Sequence, residues 1–265
     1  MAALKKRFSD YVAGYYANDD DVNQALRLKQ THTRRVCRNA LMLANKLKID
    51  EHDAALAETM ALLHDIGRFK QFAVYQTFKD ADSENHARLS VEEINAHRLL
   101  AGMADEDAAL VCEAISYHNA FAVPDHLSER AQFFLKLLRD ADKLDIWKVF
   151  GEYYDNRQAA KTESVSLGLP DTQGYCREAV SAVLAGRLVR IQALENLHDF
   201  QLLQVSWIYD LNFVPTVVEM LEKGHMDRLQ AALPQTREIS EVFDTVFRYA
   251  ESVLTSAPDT MAVVQ

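Results

Sequence analysis

The sequence predicts an all-α protein. Two observations carry that expectation. Of 265 residues only 8 are glycine and 5 proline, while 49% are apolar, with alanine and leucine abundant. The apolar residues also recur at three- and four-residue spacing, the period of a helix with one buried face. No internal repeat and no low-complexity block interrupts the pattern.

Val36, Ala40, Leu43 and Leu47 mark the buried face of one helix, and His32 lies one turn before Val36 on that face. Residues 51–66 form the next helix, with Ala55, Leu56, Met60 and Leu63 inward. It ends in LLHDIGRF, residues 62–69, where Gly67 stands at the position of a left-handed C-cap. From Arg68 to Asp82 the period fades, which predicts a connection packed by Phe69, Phe72, Tyr75 and Phe78. Ser83 caps a helix that has His86 in its first turn, continues through Leu89, Ile94 and Leu99, and closes at Gly102. Asp105 opens another, through Leu110, Val111 and Ile115 to His118. After a loop at Pro124, Ser128 caps a helix whose Phe134, Leu137, Leu138 and Ala141 lead to Asp142.

Gly168, Pro170 and Gly174 predict a long loop or partial boundary over residues 155–174. Three helices follow at about 175–194, 200–223 and 236–255. Pro215 kinks or breaks the second, and Pro258 begins a frayed tail. Trp207, Tyr209 and Phe213 fall at helical spacing and read as core. The expected organisation is one all-α domain over residues 1–265, with a core at about 25–150. A C-terminal helical extension, at about 175–257, packs on that core.

The 39 acidic and 29 basic residues leave a net charge of −10, which disfavours stable nucleic-acid binding. Cys37, Cys112 and Cys176 are too few and too scattered for a disulfide framework or a metal knuckle, and read as apolar fillers in a reducing compartment. MAALKKRFSDYVAGYY lacks the long apolar stretch of a leader, and no segment reaches the roughly 20 apolar residues of a membrane span. A cytoplasmic protein with no membrane contact is the expectation. Nothing in the sequence excludes a homodimer.

Polar groups placed after apolar runs need partners when buried. His32, His64-Asp65, His86, His118 and Asp142 recur at helix ends, each separated from the next by about one helix and its return. Consecutive antiparallel helices can deliver all of them to one place in a bundle. Imidazole nitrogens and carboxylate oxygens are ligands for borderline and hard divalent metals. A second doublet, His198-Asp199, has no such series after it. There Asp199 reads as an N-cap for the helix at 200–223. His52, His97, His126 and His225 read as surface or hydrogen-bonded residues.

The series His32, His64-Asp65 and Asp142, the last within LRDADKLDIW, resembles the HD superfamily of metal-dependent phosphohydrolases. The resemblance covers roughly residues 25–150 and implies an HD-type multi-helix bundle. His86 in NHARLSVEEI and His118 in AISYHN match the extra histidines of its binuclear members. By that resemblance one metal takes His32, His64, Asp65 and Asp142, and a second takes His86 and His118 with Asp65 bridging. One or two divalent ions are implied, drawn from Fe, Mn, Co, Ni, Zn or Mg. Asn119 replaces the second histidine usual in the HD-GYP cyclic-dinucleotide phosphodiesterases, and no GYP triad follows, which argues against that branch.

The activity implied is hydrolysis of a phosphate ester of a nucleotide or small phosphorylated metabolite by a metal-activated water. Asp65, Arg68 and Lys143 are the expected catalytic residues. Arg68 stands where many relatives carry lysine and could hold a phosphate oxygen. Lys143 could do the same, or pair with Asp142 or Asp145. Asp82 and Glu84 read as a solvated acidic loop rather than as support for His86. The same six ligands suit a di-iron oxygenase, and degenerate relatives act as signalling modules without catalysis.

Overall fold

The computed structural model describes residues 1–155 and 169–256. Among the described residues there is no strand, and no helix is long and apolar enough to cross a membrane. The helices are α1 (Ala2–Ala13), α2 (Asp20–Lys46), α3 (Glu51–Leu63), α4 (Gly67–Tyr75), α5 (His86–Ala96), α6 (Asp105–Tyr117), α7 (Glu129–Asp155), α8 (Arg177–Leu184), α9 (Leu197–Ser206), α10 (Val214–Glu222), α11 (His225–Ala232) and α12 (Arg237–Ser256). Two compact units divide at the 145–146 bond inside α7: Met1–Asp145 and Ile146–Gln265.

In the first unit α2 packs on α3, α3 on α6, α6 on α5, and α5 on α4. Asp19 caps α2 by accepting from the main-chain N–H of Asp21 and Val22, and Asp50 caps α3 through Asp53. The buried stripe of α2 runs through Leu26, His32, Thr33, Val36, Ala40 and Leu43, so His32 faces inward with the apolar side chains. α3 is buried on every side from Leu56 to Leu63, as expected of a helix that is mostly apolar all round. Whatever follows Leu63 therefore begins inside the protein, and His64 is fully buried.

Several boundaries differ from the sequence expectation. α3 stops at Leu63, and Gly67 is not a left-handed cap. It opens α4, so Gly67–Tyr75 is a helix rather than part of a loose connection. Gly67 is needed for space: an added β-carbon would lie 2.5 Å from the Ser90 nitrogen and 2.8 Å from the Leu89 carbonyl carbon. The main chains of α4 and α5 touch there, and the Gly67 N–H donates to Ser90 Oγ at 3.0 Å. The true left-handed residue is Gln76, which ends α4. Phe72 and Phe78 stack across that turn, 4.7 Å between centroids. Asn85, not Ser83, caps α5, and α5 ends at Ala96, before the turn that carries Gly102. Asp105 and Ser128 begin α6 and α7 as expected.

In the second unit the helices are shorter than expected. α8 ends at Leu184, ahead of a left-handed Gly186. Pro215 stands at the start of α10, so the expected 200–223 helix is two helices. Left-handed Gly224 then turns the chain into α11. Asn196, not Asp199, is the N-cap of α9, and Asp199 completes the capping box from inside the first turn. Phe213 is fully buried, whereas Trp207 and Tyr209 are half-buried. Residues 156–168 of the expected loop, and the tail from Pro258, lie outside the described residues.

Replacing Gly67 by alanine forces a methyl group against the α5 main chain, which cannot yield as a side chain end would. Gly67→Ala is expected to destabilise the protein by about 1–3 kcal/mol. Denaturant unfolding measures this, and an unchanged midpoint would contradict the close-approach account.

Candidate metal centre

His64 and Asp65 sit in the joint between α3 and α4. His64 N–H still donates to Met60 and Arg68 N–H to Asp65, so the chain keeps helical bonding through the turn. Adjacent residues diverge by about 100° on such a path, and the joint lets both side chains reach one space. α2 brings His32, α7 Asp142, the start of α5 His86 and the end of α6 His118. All six predicted ligands converge. The ligand atoms of His32, His64 and Asp142, and those of His64, Asp65 and His118, form two groups, each within 4.8 Å.

Asp65 divides its oxygens between two sets of imidazoles. Oδ2 faces His32 Nε2 at 3.8 Å and His64 Nε2 at 3.9 Å. Oδ1 faces His86 Nε2 at 3.6 Å and His118 Nε2 at 3.9 Å. Asp142 Oδ1 stands with the first set, 3.1 Å from His32 Nε2 and 3.8 Å from His64 Nε2. Among the described residues buried His64 Nε2 has no hydrogen-bond partner, and buried Asp142 Oδ1 has only the His32 ring nitrogen at 3.1 Å. Orphaned polar atoms of this kind need an explanation.

The outer nitrogens account for the orientation of the rings. His64 Nδ1 lies 2.8 Å from the Ala61 carbonyl and His118 Nδ1 2.8 Å from the Ile115 carbonyl. His32 Nδ1 lies 2.7 Å from Asp145 Oδ2, and His86 Nδ1 2.6 Å from Asp80 Oδ2. Carbonyl and carboxylate oxygens only accept, so each Nδ1 carries the proton and donates. Outer partners of this sort fix the tautomer of metal-binding histidines. The Nε2 atoms of His86 and His118 then meet as two bare lone pairs only 3.1 Å apart. Two nitrogens each about 2.1 Å from one ion lie about 3.0–3.4 Å from each other. A shared cation fits this pair, and the donor set fits a divalent metal.

The electrostatics agree. Burial opposes ionisation of Asp65, but Lys29, His64, Arg68 and His86 hold its carboxyl well below the usual range. Burial similarly opposes ionisation of Asp142, and His32 and His64 outweigh it to keep that group ionised. Burial and the positive fields of His86 and His64 push His118 down to about 3, and burial with Arg68 lowers His86. His32 goes the other way. Burial disfavours its charged form, but the carboxylates of Asp142 and Asp145 raise it to about 9.

Of the expected catalytic residues, Asp65 is central and Arg68 adjoins it, with Nε 3.5 Å from Asp65 Oδ1. Arg68 Nη1 meets Gln71 Oε1 at 2.8 Å, the Phe78 carbonyl at 2.5 Å and Asp80 Oδ1 at 2.9 Å. Lys143 is buried in α7, one residue beyond Asp142. Asp80 supports His86, whereas Glu84 bonds Tyr75 and Arg88. Sequence reasoning missed Lys29, whose Nζ is 3.1 Å from Asp65 Oδ2, and Arg35, which holds Asp145. Their one signal was position: Lys29 precedes His32 by three residues and Arg35 follows it by three. The other doublet is elsewhere and different. Asp199 accepts the main-chain N–H groups of Cys176, Glu195 and Asn196, and half-buried His198 bonds the Gly174 carbonyl.

The HD domain family model matches residues 30–147, the segment that contains all six converging side chains. Members of this family are mostly metal-dependent hydrolases. Comparison with curated proteins finds no match, and comparison with solved structures finds none. Over residues 30–147 this chain is similar to the HD domain family.

Proposed function

We propose that this chain is a metal-dependent phosphohydrolase that cleaves a phosphate ester of a nucleotide or another small phosphorylated metabolite. One observation supports this above the others. Asp65 turns one oxygen to each of two imidazole pairs, and all four imidazoles point Nε2 inward with Nδ1 bonded outward. His32, His64, Asp65 and Asp142 would hold one divalent ion, and His86, His118 and Asp65 a second. When bound, two such ions supply Lewis acidity that activates water near neutral pH and offsets the charge of a phosphoryl group.

The chain's own residues prepare the rest. Lys29 keeps Asp65 ionised at Oδ2, and Arg68 does so at Oδ1. Arg35 orients Asp145, which orients His32. Arg68 is the cation proposed to meet a phosphate oxygen. Its Nη1 already carries three contacts, so that bond falls to Nη2. Lys143 is proposed as a second cation of the same kind. The enclosing helices exclude bulk water from Asp65 and His64, which strengthens each charge interaction there.

In metal-free protein His32 holds a proton up to pH about 9, where an unfolded chain would lose it near 6.5. That raised value favours the metal-free fold fully below pH 6.5, and the benefit disappears as pH rises through 9. A ligating Nε2 must be bare, so binding a divalent ion at pH 7–8 is expected to release about one proton from His32. Affinity should then rise roughly tenfold per pH unit and flatten near 9. Calorimetry in buffers of different ionisation enthalpy measures the release, and His32→Gln should abolish it. Affinity independent of pH would contradict the assignment.

His64→Ala and Asp65→Ala are each expected to abolish metal-dependent phosphate release, while His198→Ala stays near wild type. Similar losses at both doublets would overturn the assignment of the first as the centre. Replacing His86 and His118 together should remove about one equivalent of metal per chain. A screen of phosphate esters on metal-loaded protein tests the activity itself. Oxygen uptake by the iron-loaded form, without phosphate release, would move the assignment to a di-iron oxygenase.

A further inference from the structure

Asp80 lies outside the six converging side chains, on the one-turn helix Asp80–Asp82 between α4 and α5. Its carboxylate gathers donors from three separate pieces of the fold. Oδ1 accepts from Arg68 Nη1 at 2.9 Å and from Gln71 Nε2 at 3.0 Å, both on α4. Oδ2 accepts from His86 Nδ1 at 2.6 Å and from the His86 main-chain N–H at 3.4 Å, at the start of α5. It also accepts from Asn119 Nδ2 at 3.2 Å, just beyond α6. Arg68 in turn reaches Asp65 Oδ1 at 3.5 Å. A chain of alternating charge thus runs from Asp65 through Arg68 to Asp80, and Asp80 ends it on the neutral ring of His86.

We propose that Asp80 is a positioning residue that builds the His86–His118 half of the centre and decides whether that half holds an ion. This rests on the two-ion reading given above. A carboxylate can only accept, so it requires the proton of His86 on Nδ1 and leaves Nε2 bare toward His118 and Asp65. It can also serve both sides at once, because each oxygen accepts more than one bond. A carboxamide cannot do both. With its NH2 toward Arg68 and Gln71 it meets two donors. With its NH2 toward His86 it meets the His86 main-chain N–H and Asn119 Nδ2, and it offers the ring a donor, which selects the tautomer protonated at Nε2 and closes that ligand position.

The test is Asp80→Asn, compared with wild type and with Asn119→Ala, which leaves the Asp80–His86 bond in place. Each full-length protein is loaded with manganese or cobalt, freed of excess metal and assayed for bound equivalents. Wild type and Asn119→Ala are expected to carry about two, and Asp80→Asn about one. Long-range proton–nitrogen spectra of the metal-free proteins should show His86 as the Nδ1–H form in wild type and lose that form in Asp80→Asn, a change that a purely structural role would not produce. If Asp80→Asn fails to fold, Asp80→Glu keeps the charge but displaces the oxygen facing His86, and is expected to lose the same ion. Two equivalents retained in a folded Asp80 variant would overturn the proposal alone. Loss of both ions would also overturn it, because Asp80 would then not act on one half. A wild type with a single equivalent would overturn the two-ion reading, and this proposal with it.

Discussion

Taking the Asp65 carboxylate out of water costs several kcal/mol, and the surroundings must return that cost in charge. Lys29, on α2, meets one oxygen and Arg68, on α4, the other. Four imidazoles complete the enclosure. Much of the first unit serves this arrangement. α3 is buried all round so that its end opens into the interior, and α2 turns a lysine and a histidine inward among alanines and leucines. An unpaired charge at this depth would be strongly destabilising, so the positions of Lys29, Arg68 and the histidines are tied to one another.

The close contact at Gly67 acts on the same constraint from another direction. Because α4 begins without a side chain, it lies against the main chain of α5 at Leu89 and Ser90. That brings the segment carrying Asp65 beside the first turn of α5, where His86 stands. Fold and site meet at one missing β-carbon, and a bulkier residue would push the His86–His118 pair away from the carboxylate that faces both.

Periodicity and end residues made much of this legible. The inward face of α2, the starts at Asp105 and Ser128, and the recurrence of histidine and aspartate at helix ends are properties of the chain alone. What escaped depends on contacts between distant segments. A glycine after an apolar run reads as a stop, and only the presence of α5 shows that Gly67 is there to admit a neighbour. Asp80, Asp82 and Glu84 look alike in a polar stretch, and the distance to His86 singles out the first. In the second unit, Gly186 turns the chain just after α8, ahead of the helix end expected at 194, and α9 ends at Ser206, ahead of the break expected at Pro215.

The four outer partners of the imidazoles fall into two kinds. Ala61 and Ile115 contribute main-chain carbonyls, each three residues before the histidine it holds. Asp145 and Asp80 contribute side chains, from a distant helix and from the one-turn helix Asp80–Asp82. Each half of the centre therefore pairs one ring secured by the backbone with one secured by a replaceable residue. Substitution at Ala61 or Ile115 leaves the carbonyl in place, whereas a single base change at the codon of Asp80 or Asp145 removes a support outright. Loss of either aspartate would loosen one imidazole while leaving its backbone-held neighbour in place, so the two pairs of rings are open to change separately.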